Sequence, residues 1–202
     1  EHGRISLIAK GARRRAKGGS SAALLQAFTP LLLSFSGRSE MKTLTQVESA
    51  GAPMALRAQQ LYGAMYVNEL LMRLLHRHDP HPRLFAAYGK TLQDLVAAPA
   101  FVLRCFELGL LDELGYGFSL EYEGLSGEPI DAQHWYRFHP DHGLVEVAPG
   151  ADPSQPAFKG GDLLAMARGE FAGEARLAAR RLLRLALALY LGDTPLKSRE
   201  LF

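Results

Sequence analysis

A chain of 202 residues has room for one large domain or two small ones, and 48% hydrophobic with 22% charged residues is the composition of an ordinary soluble globular protein. The formal net charge is only +2, and no apolar run reaches the roughly 18 residues of a membrane span, so a soluble intracellular (cytoplasmic) protein is expected, with no membrane partner. The single cysteine, Cys105, excludes an intramolecular disulfide and a cysteine-only zinc site within one chain. It lies in the apolar run Phe101, Val102, Leu103, Phe106, where a buried structural thiol is expected rather than a nucleophile.

The chain opens on Glu1 rather than Met, inside or just before a strand, so upstream sequence is expected to be missing. Three short runs then read as strands: Arg4 to Ala9, Ala27 to Phe35 and Met41 to Glu48. Gly11, Gly18-Gly19-Ser20-Ser21 and Ser36-Gly37-Arg38 supply turn chemistry between them. This small β module is strongly basic. Eight cations (Arg4, Lys10, Arg13, Arg14, Arg15, Lys17, Arg38, Lys42) face three acids (Glu1, Glu40, Glu48), which gives it +5 and leaves −3 for the rest of a +2 chain. Five of the eight residues from Lys10 to Lys17 are cationic and none is acidic. A local field of this kind, uncancelled where the strand breaks into a loop, suits a phosphate backbone.

Ser49 to Pro53 reads as a linker, after which a helical period takes over. Leu61, Met65, Leu71, Met72 and Leu75, with Tyr62 and Tyr66 widening the stripe, predict one apolar face of a long helix ending near His78, before Pro80 and Pro82. A second helix is expected from Arg83 to about Ala97. A third runs from about Pro99 to Leu114 with Gly115 as its C-terminal stop. From Tyr116 to Pro149 the helical period is lost. His134 to Phe138 and Leu144 to Val147 bracket Pro140-Asp141-His142-Gly143, the pattern of a β-hairpin. Asp162 offers an N-cap for a short helix, and a closing helix spans Gly173 to Leu191, stopped at Gly192, with Arg176, Arg180, Arg181 and Arg184 on its polar face.

Several local runs together resemble the RecO family of bacterial recombination mediators: Gly11-Ala12-Arg13, Phe28-Thr29-Pro30-Leu31-Leu32, Tyr66-Val67-Asn68-Glu69-Leu70-Leu71, Phe106-Glu107-Leu108 followed by Leu114-Gly115-Tyr116-Gly117, Gly127-Glu128-Pro129, and Pro195-Leu196-Lys197-Ser198-Arg199-Glu200-Leu201. They fall in the family's order over essentially the whole chain. The resemblance implies an α+β multidomain fold: an N-terminal OB-fold over about 1–50, with its first strands missing, then an α-helical domain over 51–202. It further implies binding of single- and double-stranded DNA, annealing of complementary strands, engagement of the acidic C-terminal tail of the single-strand-binding protein, and action with RecR in loading RecA, with no enzymatic step. Many members carry a cysteine-ligated zinc module after the Leu-Gly-Tyr segment. Here that stretch reads Leu120-Glu121-Tyr122-Glu123-Gly124-Leu125-Ser126-Gly127, so no zinc or other cofactor is expected. The inserted hairpin, about 116–150, would hold its shape by packing of Trp135, Tyr136 and Phe138.

Annealing needs donors that neutralise phosphates without reading bases. Arg4, Lys10, Arg13, Arg14, Arg15, Lys17, Arg38 and Lys42 are the candidates, and about five such contacts would give a salt slope near −3.5 on single strands. Phe28 and Phe35, the module's aromatics, are expected in its core, which leaves base stacking a minor contribution. By resemblance, Leu103 and Arg104 lie at the groove for the acidic tail; alternatively Arg104 pairs with Glu107 one turn away. The cluster His76-Arg77-His78-Asp79-Pro80-His81 invites an alternative reading as a metal-dependent hydrolase, but its prolines place it at a helix end and no second ligand set is evident. A protein-interaction scaffold with an incidentally basic loop is the third reading. No phosphate-binding glycine loop, nucleophile elbow or Walker lysine is present to carry ATPase or hydrolase chemistry.

Overall fold

The computed structural model describes residues 2–12, 21–148, 152 and 154–201. β1 (Ser6–Ile8), β2 (Leu31–Ser36) and β3 (Met41–Ser49) form one sheet in the order β1-β3-β2. The nine-residue β3 is its spine. It runs parallel to β1, with Ile8 opposite Thr43, and antiparallel to β2, with Leu31 opposite Ser49 and a register shift at Ser34/Phe35. Such a shift adds local twist, as a strongly coiled small sheet requires.

The helical domain follows with α1 (Gln59–Leu74), α2 (Pro82–Asp94) and α3 (Pro99–Glu113). Proline opens both α2 and α3, where its missing N–H costs no intrahelical bond. α3 ends in a Schellman motif: the Gly115 and Tyr116 amides donate to the Asp112 and Leu111 carbonyls at 2.9 and 2.8 Å, and Gly115 takes the positive φ of 79° that this turn demands. The buried face of α1 shares only Tyr66 with the stripe expected. Gly63, Ala64, Tyr66, Val67 and Leu70 face the core while Met65 and Met72 are exposed. The helix is apolar on both sides, and the side with two small residues is the one that lets α3 and the Leu95 turn approach closely.

α1 also stops at Leu74, one turn short of His78. Leu75 is extended, and its carbonyl accepts a hydrogen bond from Arg4 Nε at 3.2 Å, so the β module competes for the backbone that would have continued the helix. Arg4 pairs with Arg77 as an isolated bridge, the His78 amide donates to the Arg4 carbonyl at 3.1 Å, and Arg77 forms an ion pair with Glu40. These contacts dock the sheet on the end of α1.

β4 (Trp135–His139) and β5 (Gly143–Glu146) form the anticipated hairpin, and a short β6 (Phe158–Lys159), not anticipated, pairs with the other edge of β4. α4 (Gly160–Ala167) and α5 (Gly173–Leu191) complete the domain. Lys159 rather than Asp162 occupies the N-cap of α4, because the β6 pairing carries the chain straight into the helix and leaves Asp162 in its first turn. One core cluster joins α1, α2, α3 and the C-terminal half of α5. A second joins the hairpin, α4 and the middle of α5, so α5 is the shared wall. Among the described residues no helix is long and apolar enough to cross a membrane.

Candidate nucleic-acid interface and its neighbouring sites

The cations proposed for DNA lie along the β module, but they are not equivalent. Lys10 leaves the end of β1 and Arg38 sits in the β2–β3 turn. Both are exposed, and neither makes a hydrogen bond or ion pair among the described residues. Lys42, opposite Leu7 on β3, is half-buried and donates to the Gly37 carbonyl at 3.2 Å, bracing the turn that carries Arg38. Arg4 is half-buried and engaged with α1, so its first role is to join the two domains. Arg13, Arg14, Arg15 and Lys17 lie outside the described residues. Phe28 packs against the core of the helical domain rather than within the sheet, and Phe35 meets His2 edge-on at 5.3 Å.

Leu103 is 7% exposed and belongs to the main core, facing away from any surface groove. Arg104 takes the internal partner: its guanidinium lies 2.7 Å from Oε1 of the fully buried Glu107, which also accepts a hydrogen bond from the Tyr66 hydroxyl at 2.5 Å. Burial pushes the Glu107 carboxyl up against the opposing pull of Arg104, and burial beside Glu107 pushes the Tyr66 phenol up as well. Arg199, from the closing 3-10 turn, lies 6.0 Å from the centre of the Tyr66 ring. That turn is itself pinned by Glu69, whose carboxylate accepts from the Lys197 and Ser198 amides and the Ser198 hydroxyl at 2.9, 2.8 and 2.6 Å. The Pro195 to Leu201 run is thus seated by acid residues of α1 and α3.

On the adjacent face of α3 a groove of about 430 Å³ runs between α2 and α3, floored by Leu84, Val102 and Phe106, with Arg83, Glu113 and the Lys90–Asp94 ion pair on its lining. Cys105 opens onto this groove and is exposed, contrary to the burial expected from its apolar run. The run faces two ways, with Val102, Leu103 and Phe106 inward and Phe101 and Cys105 outward.

The histidine cluster does not converge. His81 lies 3.3 Å from Asp79 and 3.4 Å from Glu113, tying the start of α2 to the end of α3, while His76 and His78 are exposed. Among the described residues no group of three or more His, Cys, Asp or Glu side chains is arranged to hold a metal ion.

The loop at the position of the family's zinc module is organised by a carboxylate. Glu123 accepts from the amides of Leu125, Ser126 and Glu146 at 3.0, 2.5 and 3.4 Å, and the Ser126 hydrogen bond leads in holding its carboxyl below the usual range. The Glu123 and Gly124 amides in turn donate to Glu128 and Leu144 at 2.8 Å each. Of the three aromatics expected to hold the hairpin, Tyr136 is buried and its hydroxyl accepts from the Asp131 amide at 2.8 Å, and Phe138 packs on Phe118 at 4.9 Å. Trp135 is 52% exposed and holds nothing, because strand alternation sends it to the opposite face from Tyr136.

Sequence reasoning passed over one further arrangement. Tyr116, just past α3, stacks on Tyr190 near the end of α5, with ring centres 3.7 Å apart and planes 12° from parallel. The residues are 74 apart in sequence, so only their aromatic character was legible.

Residues 57–200 match the family described as Recombination protein O C terminal, and residues 1–52 match Recombination protein O N terminal. The chain is 45% identical over 204 residues to DNA repair protein RecO of Nitrosococcus oceani, covering 100% of this chain and 82% of that protein. It is 44% identical over 204 residues to the protein of that name from Pseudomonas aeruginosa (99% and 83% covered) and 43% identical over 202 residues to that of Nitrosospira multiformis (98% and 83%). With an OB-type β module docked on a helical domain and both family domains matched in order, this chain belongs to the RecO family of DNA repair and recombination proteins.

Proposed function

We propose that this protein is a recombination mediator that binds single- and double-stranded DNA through the phosphate backbone, anneals complementary strands, and with RecR helps load RecA onto DNA coated by single-strand-binding protein. The observation that carries the reading is the segregation of charge: +5 of a +2 chain sits in the opening module, where Lys10 and Arg38 are exposed and unpaired among the described residues while Glu40 is engaged by Arg77. Two strands held on one cationic surface repel each other less, so pairing accelerates without any bond being made or broken by the chain. No metal or cofactor enters this mechanism. The loop that would carry zinc elsewhere in the family is braced here by Glu123 instead. Such work places the protein in the cytoplasm with the nucleoid.

The acidic tail of single-strand-binding protein is assigned to the α2–α3 groove, its apolar end on Leu84, Val102 and Phe106 and its acids toward Arg83, with Arg104 on the flank of the same helix. An apolar trough with Arg83 beside it suits both halves of an acidic peptide that ends in an apolar residue, the lining acids Asp94 and Glu113 being engaged by Lys90 and His81.

Titrating labelled oligonucleotides across salt tests the DNA reading. A slope near −3.5 is expected on single strands, flattened when Lys10, Arg13, Arg14 and Arg15 become Ala. Affinity and slope both unchanged would refute it. For the tail, Arg83→Ala should weaken a labelled acidic peptide while DNA affinity holds. Arg104→Glu is unsuitable, since it sets a second carboxylate against buried Glu107.

A further inference from the structure

The Tyr116–Tyr190 stack borders a cleft of about 400 Å³ between the Gly115 to Ser119 segment, the tip of the β4–β5 hairpin and the end of α5. Aromatic pairs inside proteins favour offset or edge-on packing with ring centres 4.5 to 7 Å apart. A near-parallel pair at 3.7 Å is instead the geometry of stacked bases. The stack is also incompletely covered: Tyr116 is 43% exposed, and its side chain makes no hydrogen bond among the described residues. Asp141 lines the same cleft, exposed and with no hydrogen-bond or ion-pair partner among the described residues. Tyr190 lines the cleft together with Tyr116 and Asp141, and burial leads, ahead of these two neighbours, in pushing its phenol up. Phe118 and Phe138, in mutual contact, line the cleft as well. On α5, Arg180 and Arg184 are exposed and unpaired among the described residues, about 15 and 9 Å along the helix from Tyr190. Arg180 lies about 80° and Arg184 about 120° around the helix from Tyr190, so both stand outside the cleft lining.

We propose that this cleft is a nucleobase site on the helical domain, in which an unpaired base stacks on the Tyr116–Tyr190 pair and donates its exocyclic amino group to Asp141. The inference rests on the DNA-binding reading above and adds to it a ligand class and a selectivity. Cytosine, adenine and guanine carry an exocyclic amine and thymine does not, so amine-bearing strands should bind better than oligo-dT. A base paired in a duplex offers neither its face nor that amine, so the site serves single strands.

The test compares fluorescein-labelled oligo-dC and oligo-dT of equal length by anisotropy at low salt, and follows an oligo-dC carrying one 2-aminopurine, whose emission falls on stacking. The wild-type chain should prefer oligo-dC about fivefold and quench the 2-aminopurine. Tyr116→Ala should weaken oligo-dC binding by about fivefold or more and remove the quench, with Tyr116→Trp restoring both. Asp141→Ala, at an exposed and unpaired position, should abolish the preference while leaving oligo-dT affinity unchanged, and it carries the test if Tyr116→Ala fails to fold. If wild type binds both strands equally and Tyr116→Ala leaves affinity and quench intact, the cleft assignment is overturned while the DNA reading stands. If wild type binds neither strand, the DNA reading fails and takes the cleft with it.

Discussion

The two regions of this molecule are held together by different means. In the helical domain, residues of five helices and the hairpin close over two apolar clusters, and the charged group inside, Glu107, is held through Oε1 by Arg104 and Tyr66. In the β module no described residue is buried. Ile8, Leu33 and Met41 are exposed, Leu32 is 63% exposed, and the sheet is kept by the backbone ladder of β3 and by docking through Arg4. A region whose side chains are not consumed by packing can present them to a ligand, whereas one that spends its side chains on a core supplies rigidity and shaped clefts. The basic module therefore reads as the general phosphate surface, and the helical domain as the holder of selective sites.

The sharpest way to break this comparison is to remove equivalent side chains from both regions. Leu110→Ala in the helical core should cost about 2–5 kcal/mol in urea unfolding, against under about 0.5 kcal/mol for Leu32→Ala in the sheet; equal costs would erase the distinction. Arg104→Ala comes next, at about 3 kcal/mol near pH 7, because it strands the Glu107 carboxylate in the core. Since burial already raises that carboxyl, the folded state holds its proton more tightly than the unfolded chain does. The deficit should shrink as pH falls through the raised value, and a pH-independent loss would mean that Glu107 is not charged there.

The junction between the regions is tested by Gly3→Ala. An added Cβ would lie 2.3 Å from the Asp79 carbonyl oxygen, at a φ of 65°. A loss of about 1–2 kcal/mol and faster proteolysis between the domains are expected; unchanged proteolysis would show that the docking is dispensable. Glu123→Gln should cost about 1 kcal/mol, confined to the hairpin loop and read by amide exchange at Leu125 and Ser126. Its carboxyl is held below the ordinary range, so its contribution is present above the unfolded carboxylate pKa and disappears as pH drops through the lowered one. Smallest in stability are Lys10→Ala and Arg38→Ala, expected to leave the unfolding midpoint within error while each lowers the single-strand salt slope by about 0.7.

Much of the fold was legible locally. Gly173 to Leu191 is helical to the residue, Pro99 opens α3 and Gly115 closes it, the hairpin lies where its turn residues place it, and α2 starts at Pro82, one residue ahead of the expected Arg83, and ends at Asp94 short of Ala97. Misreadings occurred where a distant partner decided the outcome. The end of α1 moved because Arg4 takes the Leu75 carbonyl, and Cys105 surfaced because α3 buries only its other side. Trp135, expected to pack beside Tyr136, stays exposed because α4 and α5 cover the face of the hairpin on which Tyr136 lies. Leu103, assigned to a groove by resemblance, proved to be core.

By itself the sequence determined the family, the order of the elements other than β6 and the concentration of positive charge in the opening module, since periodicity, turn residues and local charge all act over a few residues. Tertiary structure alone decided which face of α1 is buried, that Tyr66 donates to Glu107, and that Tyr116 meets Tyr190, because each of those outcomes joins groups on separate elements whose approach is fixed only when the core closes.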